Sequence, residues 1–254
     1  MVNDLLQELD RGNVSILTLL DLSAAFDTIE HSILLERLSS QFGIKDLALK
    51  WIESYLSDRT QFVNVNGKNS SPVKLSFGVP QGSVLGPVLF ILYTKPLASL
   101  IKAKAVDSQS YADDTQLMST GPPRGLPATV ELTEECIKDI RVWMTANKLK
   151  LNDSKTEVLL VKSTKCSGLD PSITSIMVGE SQIPFATSAR DLGFMLTSND
   201  LSLEKHVSSI CRAANYQIRR ISSIRDFLSV EATKTLVSAL VLSRLDFLNG
   251  LLSG

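Results

Sequence analysis

Tyr111-Ala112-Asp113-Asp114 lies between two short segments that read as strands, Val106 to Ala112 and Thr115 to Met118. Two adjacent aspartates therefore fall at the turn of a hairpin. Neighbouring carboxylates repel each other, and neither can be buried without a partner. A divalent cation is the usual partner, but such a pair alone also reads as an ordinary solvated turn. The rest of the chain decides between the two.

Upstream, Val14 to Leu22 is β-branched and leucine-rich and reads as a buried strand. It runs into Asp21-Leu22-Ser23-Ala24-Ala25-Phe26-Asp27, which sets a carboxylate at the carboxyl end of a core strand. Open sheets place ligands at such ends, although Asp21 could equally cap the next segment. Before it, apolar residues at 2, 5, 6 and 9 form a short helical stripe stopped by Gly12-Asn13. After it, Ile33, Leu34, Leu35 and Leu38 suggest a helix ended by Gly43. Asp46 is a suitable N-cap for a second helix carrying Leu47, Trp51, Ile52, Tyr55 and Leu56. Gln61 to Val65 and Val73 to Phe77 flank Asn66-Gly67, a strong hairpin signal.

Gly78, Pro80 and Gly82 then define a rigid turn with open backbone. An apolar helix follows from Val84 to about Tyr93, with Ser83 as its cap. Beyond the Asp113-Asp114 hairpin, Ser119 to Thr129 reads as a Gly/Pro loop, and Leu132, Cys136, Ile140 and Trp143-Met144 as a helical face. Leu149 to Asn152 and Thr156 to Val161 are strand-like, with Lys155 between them. Segments 173–178, 182–185 and 191–196 look like a small antiparallel set with turns at Gly179 and Thr187-Ser188. From 201 the pattern turns helical, with Leu203, Val207, Ile210, Cys211, Ala214, Ile218 and Ile221 in phase and Arg212, Arg219 and Arg220 off that face. Ser229 can cap a further helix with Leu236, Val237, Leu240 and Val241 inside, and Leu251 to Gly254 closes the chain without an evident stop.

Composition narrows the chemistry. A chain of 254 residues suits one large domain, or one plus a small appendage. Three cysteines, far apart and odd in number, give neither a disulfide frame nor a zinc site. They fit a reducing, intracellular setting, with nucleus and cytoplasm not distinguished. Two histidines are too few for a His-rich metal site and argue against Ser-His-Asp or Cys-His catalysis. The start lacks a basic n-region, and the apolar run Val84 to Tyr93 is far shorter than the ~20 residues of a membrane span, so a soluble protein without a membrane partner is expected. A net charge of −1 is unusual for a nucleic-acid binder. Yet residues 201–254 hold seven Lys/Arg against four Asp/Glu, the reverse of the acidic first 60. That split suits a metal site beside a backbone-binding surface.

Taken together, the order of elements predicts an α+β fold, an antiparallel sheet with helices on one face. In such a sheet Asp21 can meet the tip at Asp113. Hard oxygen ligands there suit Mg²⁺ or Mn²⁺, and two such ions suit phosphoryl transfer.

Five stretches carry a resemblance. Residues 21–27, 78–87 and 111–114 resemble motifs A, B and C of reverse transcriptases; 147–157, with Lys155, resembles motif D, and Leu192-Gly193-Phe194 resembles motif E. The long form of the second stretch, with Ala at the second position of the third, is similar to non-LTR (LINE-type) retrotransposons more than to retroviruses. The resemblance implies a right-hand polymerase palm with partial fingers over residues 1–198 and an incomplete helical thumb-like region over 199–254. It implies an RNA-directed DNA polymerase with two Mg²⁺ or Mn²⁺ ions held by Asp21, Asp113 and Asp114, the last a weaker or outer member. Lys155 would protonate or neutralise the departing pyrophosphate. Phe26 would stand under the sugar of the incoming nucleotide and exclude a 2′-hydroxyl. Gln81 and Gly82 would touch the nascent base pair, Leu192 and Gly193 the primer end, and Arg212, Arg219 and Arg220 the duplex backbone. The implied partners are an RNA template, a DNA primer and deoxynucleoside triphosphates.

The chain departs from that pattern before Asp21, where Arg11 is the sole basic residue and a basic fingers region is expected. The expectation is of a chain truncated at both ends, lacking the fingers, endonuclease and C-terminal regions of a parent polyprotein. A catalytically silent remnant with weak nucleic-acid binding is the alternative reading.

Overall fold

A computed structural model describes residues 1–246 of the chain. Strand β1 (Val14–Leu20) is buried almost along its whole length. Burial on both faces is why it reads as a continuous apolar run rather than an alternation. Helix α1 (Val2–Asp10) precedes it, and α2 (His31–Ser40) and α3 (Asp46–Leu56) follow. A short double ladder comes next. Strands β2 (Thr60–Gln61) and β5 (Val73–Lys74) pair outside β3 (Asn64–Val65) and β4 (Lys68–Asn69), which turn at Asn66-Gly67. Helix α4 (Leu85–Ala103) leads to the hairpin β6 (Asp107–Tyr111) and β7 (Asp114–Gly121). Helix α5 (Leu126–Ala146) and β8 (Glu157–Val161) complete the central unit. Two further hairpins follow, β9 (Ser175–Val178) with β10 (Ser181–Pro184), and β11 (Ser188–Asp191) with β12 (Phe194–Thr197). The last described part is helical: α6 (Glu204–Ser223), α7 (Val230–Val237), a π-helical turn at Ser238–Leu242, and α8 (Ser243–Asp246).

The central sheet has the order β6-β7-β1-β8, with every neighbour antiparallel. Ile16, Leu20, Leu117, Val158 and Leu160 join one core with Leu34 and Leu38 of α2, Phe90, Tyr93 and Leu97 of α4, and Ile137 and Ile140 of α5. Leu17, Met118, Leu159 and Val161 join a second, with Leu5 of α1 and Ala189, Phe194 and Leu196 of the β11–β12 hairpin. The α+β palm architecture is thus present, with the main helical layer on one face and α1 plus a hairpin on the other. Each fully buried Leu or Ile contributes ~2 kcal/mol.

Several local expectations shift. Strand β7 runs on to Gly121 and α5 begins at Leu126, so the region 119–129 is mostly regular rather than loop. Ser and Thr masked the strand, and Ser15 Oγ and Thr120 Oγ1 satisfy each other at 3.0 Å across it. Helix α4 continues through Pro96 to Ala103, because Leu89, Phe90, Tyr93, Leu97 and Ile101 keep one buried face. Its length and apolarity alone would suffice to cross a membrane, but that face packs on the palm core. Leu149 to Asn152 forms only a bridge, Leu22 to Leu151. Asp46 makes no capping bond and sits at φ 51°, one residue inside α3. Ser229 does cap α7, accepting from the Ala232 N–H at 3.2 Å. The polar strand β6 is an exposed edge, which explains its composition. On α6, Ala214 and Ile221 are buried as expected, whereas Val207, Cys211 and Ile218 are exposed. The chain end at Leu251–Gly254 lies outside the described residues.

Helix α6 is tied to the palm by His206, which is 4% exposed and packs on Phe194 with centroids 4.5 Å apart. The Met195 N–H donates to His206 Nδ1 at 3.3 Å. On the helical side, Arg37 is buried and bonds the Tyr93 carbonyl and Asn147 Oδ1 (2.6 Å to the latter), while Tyr93 O–H donates to the Asn147 carbonyl at 2.7 Å.

Candidate active site

Register builds the site. Strands β1 and β7 pair Leu19 with Gln116 and Leu20 with Thr115. One further step sets Asp21 opposite Asp114. Tyr111 pairs with Asp114, so Ala112-Asp113 is a two-residue turn, left-handed at Ala112 (φ 53°). On the other side Leu19 pairs with Glu157. Lys155, two residues ahead, reaches Asp21, with Nζ 3.4 Å from Oδ2. The backbone around Asp21 is strapped down, since its carbonyl accepts from the Asn152 N–H at 2.9 Å and the Ser23 N–H donates to the Lys150 carbonyl at 2.9 Å. The irregular segment 149–152 thus fixes the position of Asp21.

Alternation puts Asp21 on the face of Leu17, and Asp114 on the face of Gln116 and Met118. That is the face covered by β11–β12. There Asp21, Asp114, Lys155, Arg190, Asp191 and Leu192 line one cleft of about 400 Å³. Burial pushes the Asp114 carboxyl above its ordinary value, the charges of Asp113 and Asp21 push it further, and Lys155 opposes them. Asp191 is also raised, first by burial, with its hydrogen bonds from Gln116 pulling down and Asp114 pushing up. Asp113 stands at the tip, half-buried, and is not among the residues lining this cleft.

The donor set fits a hard divalent cation. Asp21 Oδ2 is buried and makes no hydrogen bond, and the facing carboxylates repel each other. Among the described residues no three Asp, Glu, His or Cys side chains enclose a cation by themselves. An open site of that kind suits Mg²⁺, which takes one or two carboxylates and completes its shell from substrate phosphates and water.

Phe26 stacks on Phe90 with centroids 4.8 Å apart. With Leu22, Tyr111 and Ala112 it lines a cavity of about 540 Å³ on the other side of the turn. Phe26 is held by its carbonyl, which accepts from the Val79 N–H at 2.8 Å, while the Gly78 N–H donates to the Ile29 carbonyl at 2.8 Å. Gly78 has φ 86°, and a Cβ there would lie 2.9 Å from Asp27 Cα and 2.9 Å from its carbonyl oxygen. No other residue allows this approach. His31 Nε2 adds a 2.8 Å bond to the Gly78 carbonyl. Gln81 and Gly82 are exposed beyond this strap; Gln81 borders a cleft of about 570 Å³ that Asp27, Arg59 and Gln61 also line. Ser83 closes the turn, donating to the Pro80 carbonyl at 2.7 Å and accepting from the Gly86 N–H at 3.0 Å.

The expected strand 191–196 is interrupted. Leu192 and Gly193 form the tip of β11–β12, both left-handed at φ 45° and 86°. This is the two-residue turn that matches hairpin twist, and it carries Leu192 to the edge of the cleft. Arg212, Arg219 and Arg220 are exposed on α6 and are not among the residues lining the cleft, with Arg220 over the Tyr216 ring at 5.8 Å. Sequence reasoning missed Gln116, Asp191, Arg59 and His31. Only Gln116 left a signal, a polar residue in an apolar strand two positions after Asp114.

The cleft and the Phe26 cavity fall within one family match. Residues 4–196 match the model of the reverse transcriptase (RNA-dependent DNA polymerase) family. The chain is 26% identical over 229 residues to the RNA-directed DNA polymerase from mobile element jockey of Drosophila melanogaster, covering 87% of this chain and 24% of that protein. It is 27% identical over 246 residues to the probable RNA-directed DNA polymerase from transposon BS of the same species, covering 93% of this chain and 25% of that protein. The chain thus spans about a quarter of the length of these relatives. Among solved structures, the apo telomerase of Candida tropicalis, truncated from its C-terminal domain, superposes with a TM-score of 0.55 at 16% identity, over 79% of this chain and 37% of that one. At that identity the likeness concerns the fold. With the fold, the motif order and the family match in agreement, this chain belongs to the reverse transcriptase family, on the branch of the non-LTR retrotransposons.

Proposed function

We propose that this chain is a polymerase core that extends a DNA primer on an RNA template from deoxynucleoside triphosphates, acting inside the cell. The observation that carries this reading is the register: β1 and β7 set Asp21 against Asp114, with Lys155 on the other side of Asp21. Asp21, Asp113 and Asp114 would hold a pair of Mg²⁺ or Mn²⁺ ions, whose Lewis acidity would lower the cost of charge on the attacking and leaving oxygens. Lys155 carries a proton at Nζ that the departing pyrophosphate can take or share. Phe26, stacked on Phe90, held by the Gly78 strap and lining the cavity beside Ala112, would stand under the sugar of the incoming nucleotide and exclude a 2′-hydroxyl. Gln81 and Gly82 offer an exposed polar edge and open backbone to the nascent base pair. The Leu192-Gly193 tip bounds the cleft where a primer terminus would sit. Arg212, Arg219 and Arg220 offer exposed cations to the duplex backbone.

A silent, weakly binding remnant is favoured by one observation: Arg11, on the segment leading into β1, is engaged by Glu8 of α1 rather than free to meet a phosphate. Primer extension on an RNA template with Mg²⁺ or Mn²⁺ separates the two readings. Extension by the 254-residue chain, lost in Asp113→Asn, supports the polymerase. Binding of primer–template without extension in either metal supports the remnant. Extension that survives Asp113→Asn removes that residue from the metal site.

A further inference from the structure

Gln116 is 4% exposed, a polar side chain on the face of β7 that Met118 gives to the second apolar core. Its Nε2 donates to both Asp191 oxygens, each at 2.8 Å. Its Oε1 is buried without a partner. An apolar residue would suit this buried strand better, so the carboxamide is an expensive choice for packing alone. Its geometry suggests what it does. Gln116 stands two residues from Asp114 on the same face, and Asp191 immediately precedes the Leu192-Gly193 tip. The hairpin is otherwise seated on that face by Ala189, Phe194 and Leu196. Apolar contacts are non-directional and permit sliding. A two-oxygen hydrogen bond fixes one position along the strand.

We propose that Gln116 is a positioning residue. Through Asp191 it latches the β11–β12 tip at one height above Asp114, and so sets where a primer 3′ terminus rests. The latch rests on the polymerase reading only for its primer role; the hydrogen bond itself does not.

The test uses Gln116→Met, which keeps length and apolar fit, and the exchanged pair Gln116→Asn with Asp191→Glu, which keeps the combined reach of the two side chains. Hydrogen–deuterium exchange reads the latch directly. In Gln116→Met, exchange over 188–197 should rise roughly 10-fold while β1 and β8 stay protected. Steady-state extension reads the role. The KM for primer–template should rise about 10-fold with the KM for deoxynucleotide unchanged, since a small misplacement of a reacting terminus is costly. The exchanged pair should restore both. Unchanged exchange at 188–197 overturns the latch. Loosened exchange with an unchanged KM for primer–template overturns the primer role. A wild-type chain that neither binds nor extends primer–template overturns the polymerase reading and the primer role with it, and the exchange result still decides whether the latch exists.

Discussion

Asp21 shows how much a single position carries. Its Oδ2 is buried and makes no hydrogen bond, and its one charge partner among the described residues is Lys155 at 3.4 Å, which leaves the oxygen free to accept a further ligand. Phe26, five residues on, is the other informative residue. A ring that only filled the core would be fully enclosed, whereas Phe26 is half-buried, stacked on Phe90 and open to the cavity beside Ala112. Trimming it to Val removes the ring and leaves the backbone strap to Val79 intact. In Phe26→Val, discrimination against ribonucleotides should fall by about 10-fold or more, the scale on which a pocket senses a few atoms. Competitive incorporation of a ribonucleotide against its deoxynucleotide measures this, and unchanged discrimination refutes the gate. Both residues were legible because motif spacing exposes them. Gln116 and Asp191 were not, since their meaning depends on two strands 75 residues apart.

At the level of elements, the sequence marked the core strand, the hairpins at Asn66-Gly67 and Asp113-Asp114, and the amphipathic α6. It missed what polar residues hid: the far half of β7, and the turn inside 191–196, where a leucine takes a left-handed position normally left to Gly or Asn. It also missed how elements are fastened. Arg37 joins α2 to α4 and to the end of α5 with no carboxylate partner among the described residues, and burial pulls its guanidinium below the ordinary value. Asn147 supplies one acceptor. Asn147→Leu leaves part of a buried guanidinium unsatisfied and should lower unfolding stability by roughly 1–3 kcal/mol, measured by urea titration. A second fastening is pH-sensitive. Burial, with Arg190 adding repulsion, holds His206 below its ordinary value of 6.5. The folded form therefore binds fewer protons than the unfolded one. Its contribution is complete above about pH 6.5 and is lost as pH falls from there through the lowered folded value. Hydrogen exchange over α6 should accelerate across that acidic range in the wild type. In His206→Gln, whose amide can still accept from Met195, that step should be absent.

At the scale of the whole molecule, a net charge of −1 conceals a division of labour. Asp21, Asp114 and Asp191 gather in one cleft at the ends of the central strands β1 and β7 and the β11–β12 tip, while α6 presents Arg212, Arg219 and Arg220 to solvent. Total charge could not have revealed this; the sign change along the chain did. If α6 grips a duplex, its cations neutralise phosphates and release counterions. Each such contact contributes about 0.9 to the slope of log affinity against log salt. Replacing all three by Ala should therefore weaken primer–template binding at 0.1 M salt and reduce that slope by up to about 2.7. The effect should not depend on sequence, because backbone contacts carry no sequence information. All three residues are exposed and none lies in a core, so stability should change by less than ~0.5 kcal/mol per site. Fluorescence anisotropy over a salt series measures the slope. An unchanged slope with a folded variant would show that α6 faces something other than the duplex. A reduced slope with unchanged primer terminus kinetics would separate gripping by α6 from positioning by the Leu192-Gly193 tip.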